Sequence, residues 1–353
     1  MFDILRKSSL LKIACLTLIA VALIASEVEQ RPLGEIDFFG YKGLDVATIR
    51  AALPFHEGEL FPPAKAKSPD DLKRAVSERI RQTIGRDPTD VGFTCCDAKQ
   101  NWMVYIGLPG ESYQAIAFNP LPEREIRLPK AAVALGRQMD EAWMRAVMGG
   151  HATEDDSEGY ALTNDPRARK AELAIREYAL RNEALILQVL KSSREPQDRS
   201  IAAQMLGYGR QSKEQIDSLV QASLDPDGAV RNDSIRALEV LAGAKPNLVR
   251  MIPIDPFIRL LHSGQWSDHN KGSLLLMNLT KTRDPAVLER LLKEALDPLL
   301  EMAQWRYSGH AEPALLILGR IAGIDEDTLN KLIETNHPEA IIGKLSQIRG
   351  TAY

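Results

Sequence analysis

Cysteine is scarce in this chain of 353 residues, with three in all, at positions 15, 95 and 96. So few exclude a disulfide-stapled scaffold, and no further Cys or nearby His supplies the ligands that a zinc site at Cys95-Cys96 would need. A vicinal pair on a strand points its side chains to opposite faces, so one buried and one exposed thiol is the plain expectation. A strained vicinal disulfide is the alternative. A basic excess is missing as well: 44 Lys and Arg stand against 48 Asp and Glu, for a formal charge of -4 and a pI near 6.0. Nucleic-acid binding draws its affinity from neutralised phosphates, so that partner class is set aside. Also lacking are His-Glu-x-x-His, Gly-x-Ser-x-Gly, a phosphate loop and a Cys paired with an identifiable His. No catalytic residue, cofactor or metal site is therefore assigned, and the expectation is a protein that is not an enzyme. With 44% apolar and 26% charged residues the chain is neither disordered throughout nor a multi-span membrane protein.

The first 26 residues differ from the rest. Arg6 and Lys7 precede an apolar run from Leu10 to Ala25, interrupted by Lys12 and Thr17, and Glu27 and Glu29 follow at once. That is the profile of a secretory signal. The run falls short of the roughly 20 apolar residues that span a bilayer comfortably, yet its small-residue cleavage pattern is poor. Residues 1–26 are thus a cleaved signal peptide or a retained anchor, and the chain is expected to be exported, periplasmic or anchored facing the periplasm. Membrane contact is expected only through this segment, if uncleaved. Cys15 is not a lipidation site, because Lys12 stands where such a motif wants Leu.

From Gly34 to about Pro120 strand and helix signals alternate. Ile36 to Gly40 reads as a strand ended by Gly, Asp45 as the cap of a helix through Ile49, and Pro69 to Ile84 as a helix with Leu72, Val76 and Ile80 on one face. Val91 to Cys96 and Trp102 to Leu108 read as paired strands, with Tyr113 to Phe118 as a further strand after the Pro109-Gly110 break. This order, with Ile36 to Gly40, Val46 to Leu53 and Gly58-Glu59-Leu60-Phe61, resembles the POTRA domains of bacterial envelope proteins. The resemblance departs at Cys95-Cys96 and in the stretch from Pro62 to Pro69. It implies a module at 34–120 that docks partner polypeptides, often by adding a strand to its sheet edge. Any small α+β domain would also fit the element order. Residues 121–163 follow as a linker, with an amphipathic helix from Lys130 to about Met148 and a flexible acidic stretch, Glu154-Asp155-Asp156-Ser157-Glu158.

Beyond Asp165-Pro166 nearly every segment has helical period, and the segments Arg199 to Leu206, Arg231 to Leu238, Lys271 to Leu279 and Pro313 to Ile321 line up with one another. The clearest unit runs from Gln215 to Leu241, two apolar faces joined by Asp225-Pro226-Asp227-Gly228. The motif Asp225-Pro226-Asp227-Gly228-Ala229-Val230-Arg231 resembles the turn of HEAT repeats, in the variant of the phycobilisome-lyase-like group. The resemblance implies that Asp227 and Arg231 bridge neighbouring repeats, as structural residues of a turn that also holds Asp225 and Pro226. The fold class expected is mainly α, a HEAT-type α-solenoid of two-helix repeats over 164–350 preceded by the small α+β POTRA-like domain. Stacked units share one core and offer a concave face. Trp266, Trp305, Tyr307, His269 and His310 lie near inter-helix turns, where packing is the commoner role and a binding site the alternative. The glycosylation-type triplets at Asn232 and Asn278 fall within expected helices. A fragment without residues 1–163 is expected to remain a soluble helical array.

The function these features imply is a non-catalytic protein-protein interaction scaffold of the bacterial cell envelope, binding a protein partner through the repeat surface. Two alternatives stay open. One is a HEAT-like lyase or other enzyme that uses the solenoid as its frame; the other is a membrane-anchored cytosolic regulator.

Overall fold

Residues 30–63 and 68–350 are described by the computed structural model. The expected signal or anchor segment, with Cys15, lies outside the described residues. Strand β1 (Arg31–Phe39) ends at Gly40, whose φ of +70° turns the chain away from the sheet. Asp45 caps helix α1 (Val46–Ala51), accepting from the N–H groups of Ala47 and Thr48. A two-residue strand, β2 (Leu60–Phe61), precedes helix α2 (Pro69–Ile84), which opens on the Ser68 cap with Pro69 in its first turn. Strands β3 (Asp90–Cys95) and β4 (Trp102–Gly107) complete a sheet of order β2-β1-β4-β3, in which β1 and β4 run parallel. These two central strands are buried on both faces. Ile36, Phe38, Val104 and Ile106 pack with residues of α1 and α2, while Phe39, Met103 and Tyr105 belong to the core of the helical array.

Two expectations for this region change. Cys95 and Cys96 are joined as a vicinal disulfide rather than standing as separate thiols. Strand β3 ends at Cys95, so the strand alternation that separates the two side chains no longer holds at Cys96. Tyr113 to Phe118 is extended but adds no strand: Gln114 donates its backbone N–H to the carbonyl of His262, at 2.9 Å, in the helical array.

Residues 121–163 are not a free linker. Helix α3 (Lys130–Met148) packs on the array, and the acidic stretch forms a hairpin of β5 (Glu154–Asp155) and β6 (Leu162–Thr163). Glu154 pairs with Arg236 and accepts from Trp143 Nε1 at 3.3 Å, which fixes the hairpin instead of leaving it solvated.

The remaining helices are α4 (Pro166–Ser192), α5 (Pro196–Gly207), α6 (Lys213–Ala222), α7 (Gly228–Ala244), α8 (Asp255–Leu260), α9 (Trp266–Leu279) and α10 (Pro285–Glu294). After them come α11 (Leu296–Met302), α12 (Ser308–Ile321), α13 (Glu326–Glu334) and α14 (Pro338–Gly350). Helices α5, α7, α9, α12 and α14 form an inner row in which each packs on the next, with the others outside. Leu206, Leu238, Leu276 and Leu318 each stand ten residues after the first residue of their inner helix, and each is fully buried. Equivalent positions thus meet a continuous core, which is the physical definition of a solenoid. A Cβ on Gly207 would come within 2.9 Å of the Ala237 Cβ, so glycine there lets α5 and α7 close on each other. The protein is a mainly helical solenoid with a small N-terminal α+β unit. No described helix is long and apolar enough to cross a membrane.

Candidate functional site

The turn residues singled out in the sequence are the start of a buried ladder. Arg231, wholly buried in the first turn of α7, donates from Nε and Nη2 to both oxygens of Asp268 in α9, at 2.9 and 3.0 Å. Its Nη1 donates to the carbonyls of Asp225 and Pro226. Arg199 repeats the arrangement one unit earlier, gripping Asp225 through two 2.8 Å hydrogen bonds and the Ser193 carbonyl through a third. Arg127, ahead of α3, extends the row to Asp198 at 2.7 Å. Bidentate pairs of this kind fix the angle between neighbouring units. The assignment of Asp227 is corrected. It caps α7, accepting from the N–H groups of Ala229 and Val230, while Asp225 is the bridging carboxylate. The aspartate directly before a helix is claimed by the orphan N–H groups of its first turn, so the one ahead of Pro226 is left for the guanidinium. Arg199, at the equivalent helical position to Arg231, was the signal for the preceding rung.

The aromatic and histidine residues near the turns serve the contact with the sheet. Tyr105 of β4 stacks on Trp266 with centroids 4.8 Å apart, meets Trp305 edge-on, and its hydroxyl bonds His310 Nδ1. Phe39 lies against His269, and Tyr307 against His310. Trp305 Nε1 donates to the Phe38 carbonyl at 2.9 Å, and Arg306 pairs with Asp37 and Glu57. Burial lowers the pKa of His269 to about 4 and of His310 to about 3, so both are neutral imidazoles in a packed wall. Glu301 of α11 accepts from the backbone N–H groups of Gly40, Tyr41 and Lys42, at 2.7, 3.0 and 2.8 Å, and from the Ser112 hydroxyl.

From this wall the chain runs as a strap across the solenoid. Backbone N–H groups of Gln114, Asn119 and Arg124 donate to the carbonyls of His262, Leu224 and Ser192. The strap thus meets the outer-to-inner turns of three successive units at five-residue intervals, with Arg194 N–H donating back to the Arg124 carbonyl. Phe118 lies under the Arg231 guanidinium, 4.0 Å from its ring centroid.

On the inner row is a cavity of about 80 Å³. One water needs roughly 10–15 Å³ on this measure, so several would fit. Helices α5 and α7 form its floor, α3 and the β5–β6 hairpin its roof, and Lys271 of α9 its far end. Met139, Trp143, Ala237 and Val240 supply apolar wall. Asp233 accepts from the Ser200 hydroxyl and from Asn232 Nδ2, and Asp140 from Gln204 Nε2. Burial raises the pKa of Asp233 to about 7 and that of Asp140 to about 6. Asp233 and Asp140 were not singled out in the sequence, and Asn232 stood there only as part of a glycosylation-type triplet. For Asn232 and Asp233 the one signal is a run of polar residues on α7 where the repeat pattern calls for core; Asp140, on α3, carries none.

No family model matches the chain, and no curated protein aligns with it. Among solved structures it is similar to an engineered protein, 15% identical over 62% of this chain and 89% of that one, with a TM-score of 0.37. It is also similar to a designed armadillo repeat protein in complex with the peptide (KR)4, 12% identical over 60% and 90% of the chains, with a TM-score of 0.35. A computationally designed armadillo repeat protein for modular peptide recognition is 14% identical over 60% and 91%, with a TM-score of 0.37.

Proposed function

We propose that this protein is a non-catalytic interaction scaffold of the bacterial cell envelope, whose repeats, of HEAT type, hold a partner polypeptide beside a POTRA-like N-terminal module. The observation that carries the reading is the strap. An extended stretch of polypeptide already lies across three units, held through main-chain N–H groups at regular spacing. Main-chain bonding of this kind is how extended peptides are recognised in general, and it fits a surface evolved to take chain rather than a small substrate. In this reading the half-buried Tyr160, which lines the cavity, is the point where a partner in trans would meet the array.

The test is a photo-crosslinking residue in place of Tyr160, activated in cells of the native host before fractionation. A discrete polypeptide adduct in the envelope fraction is expected. A chain that folds, reaches the envelope and yields no adduct would sink the scaffold reading. An adduct found only in the cytosolic fraction would move the protein to the regulator alternative.

A further inference from the structure

The cavity on the inner face has an imbalance of chemistry. Every amide and hydroxyl donor that approaches its two central carboxylates is used: Asn232 Nδ2 and the Ser200 hydroxyl on Asp233, and Gln204 Nε2 on Asp140. The two amide oxygens, Asn232 Oδ1 and Gln204 Oε1, are buried with no partner. Asn232 is 3% exposed, so bulk water does not supply one. A carbonyl oxygen can only accept, and a buried acceptor left alone is costly, so these two oxygens lack the donors they need.

Charge points the same way. Four carboxylates line the cavity, Asp140 from α3, Glu154 from the hairpin, Glu172 from α4 and Asp233 from α7, against Arg236 and Lys271. Arg236 is engaged by Glu154, and Glu172 accepts from the N–H and hydroxyl of Thr163. Asp140 and Asp233 accept from amides and a hydroxyl, next to the two orphan oxygens. Tyr208 contributes a phenol that burial holds neutral at physiological pH.

We propose that this cavity binds the cationic head of an alkylammonium or alkylguanidinium group, which donates to Asn232 Oδ1, Gln204 Oε1 and Asp140 while its stem lies on Met139, Trp143 and Val240. The head comes from a free small amine or from a Lys or Arg side chain of the partner polypeptide, and the second source rests on the scaffold reading above. Entry of a cation favours ionised Asp140 and Asp233, so binding releases protons and tightens from pH 5.5 to pH 8.

The test is calorimetric titration of the full chain with n-butylamine, n-butylguanidine and, as the anionic counterpart, butyrate, followed by end-blocked Gly-Lys-Gly and Gly-Arg-Gly. Saturable binding of a cationic probe, absent for butyrate and weakened about tenfold or more in D140N, is expected. Cationic probes that fail to bind wild type, or that bind no better than butyrate, overturn the proposal without need of the variant. Binding unchanged in a folded D140N overturns it too. Tripeptides that bind as well as the amines identify a side chain as the source; amines that bind alone identify a free cation. A photo-crosslinked adduct that persists in D140N leaves the scaffold reading standing when the cation site falls.

Discussion

Asp233 gives the cavity a consequence for stability that one substitution can read. Between about pH 4 and 7 the folded chain keeps a proton on this carboxyl that the unfolded chain has released, so stability falls as the pH rises through that window. Asp140 and Glu35, raised to about 6 and 7, push the same way, while neutral His269 and His310 push oppositely below the ordinary histidine pKa. The difference between D233N and wild type isolates the one group: the variant should gain on the order of a few kcal/mol relative to wild type at pH 8 over pH 5, seen in urea melts at both pH values. A constant difference would show that Asp233 is ionised throughout. Glu301 makes a second residue-scale case. E301A leaves the Gly40 and Tyr41 N–H groups and the Ser112 hydroxyl without this acceptor, and the Lys42 N–H with its 3.2 Å bond to Ser112 Oγ alone, at a cost of about 3 kcal/mol or more. Hydrogen exchange should speed up first at Gly40, Tyr41 and Lys42; unaltered protection there would mean that the turn holds without the carboxylate.

At the scale of elements, the repeat helices and the strap behave differently. Leu238 stands at zero exposure in α7, so Leu238→Asp should lower stability by several kcal/mol and abolish a cooperative melt near the wild-type temperature. Phe118→Ala removes the ring under Arg231 and should cost about 1–2 kcal/mol, with faster exchange of the Asn119 amide as the readout. Helices were legible because each carries its own periodicity and punctuation: Ser68-Pro69 opens α2, and Leu72, Val76 and Ile80 mark its buried face. The strap was not, because Pro120 and Pro122 and an irregular apolar pattern carry no period, and its bonding partners lie in turns far along the chain. The ladder was half legible. Arg231 could be named from its turn, but Asp225 and Asp227 are the same residue type two positions apart, and only the helix start decides which one caps. The cavity left a fainter mark still, since Asp140 and Asn232-Asp233 sit on different helices and only packing brings them together.

For the whole molecule, the core is shared across the expected boundary near residue 163. Phe39, Met103, Tyr105, Leu128 and Met139 belong to the same cluster as the helices of the array. Removing residues 1–163 would uncover Trp266, Trp305 and Asp198, so the fragment should aggregate or bind a hydrophobic dye, contrary to the expectation from the repeat pattern alone. A soluble monomer with a cooperative melt would restore that expectation. The hold of Glu301 on Gly40 spans 261 positions of sequence, and it sets an order of events during synthesis. The sheet is made first, yet its second face has nothing to rest on until α9, α11 and α12 exist. Through most of translation Phe39, Met103 and Tyr105 must wait uncovered, the interval in which non-local folds are open to misassociation. A nascent chain of this protein therefore needs either a holding factor or a rapid finish, and its last third completes the folding of its first.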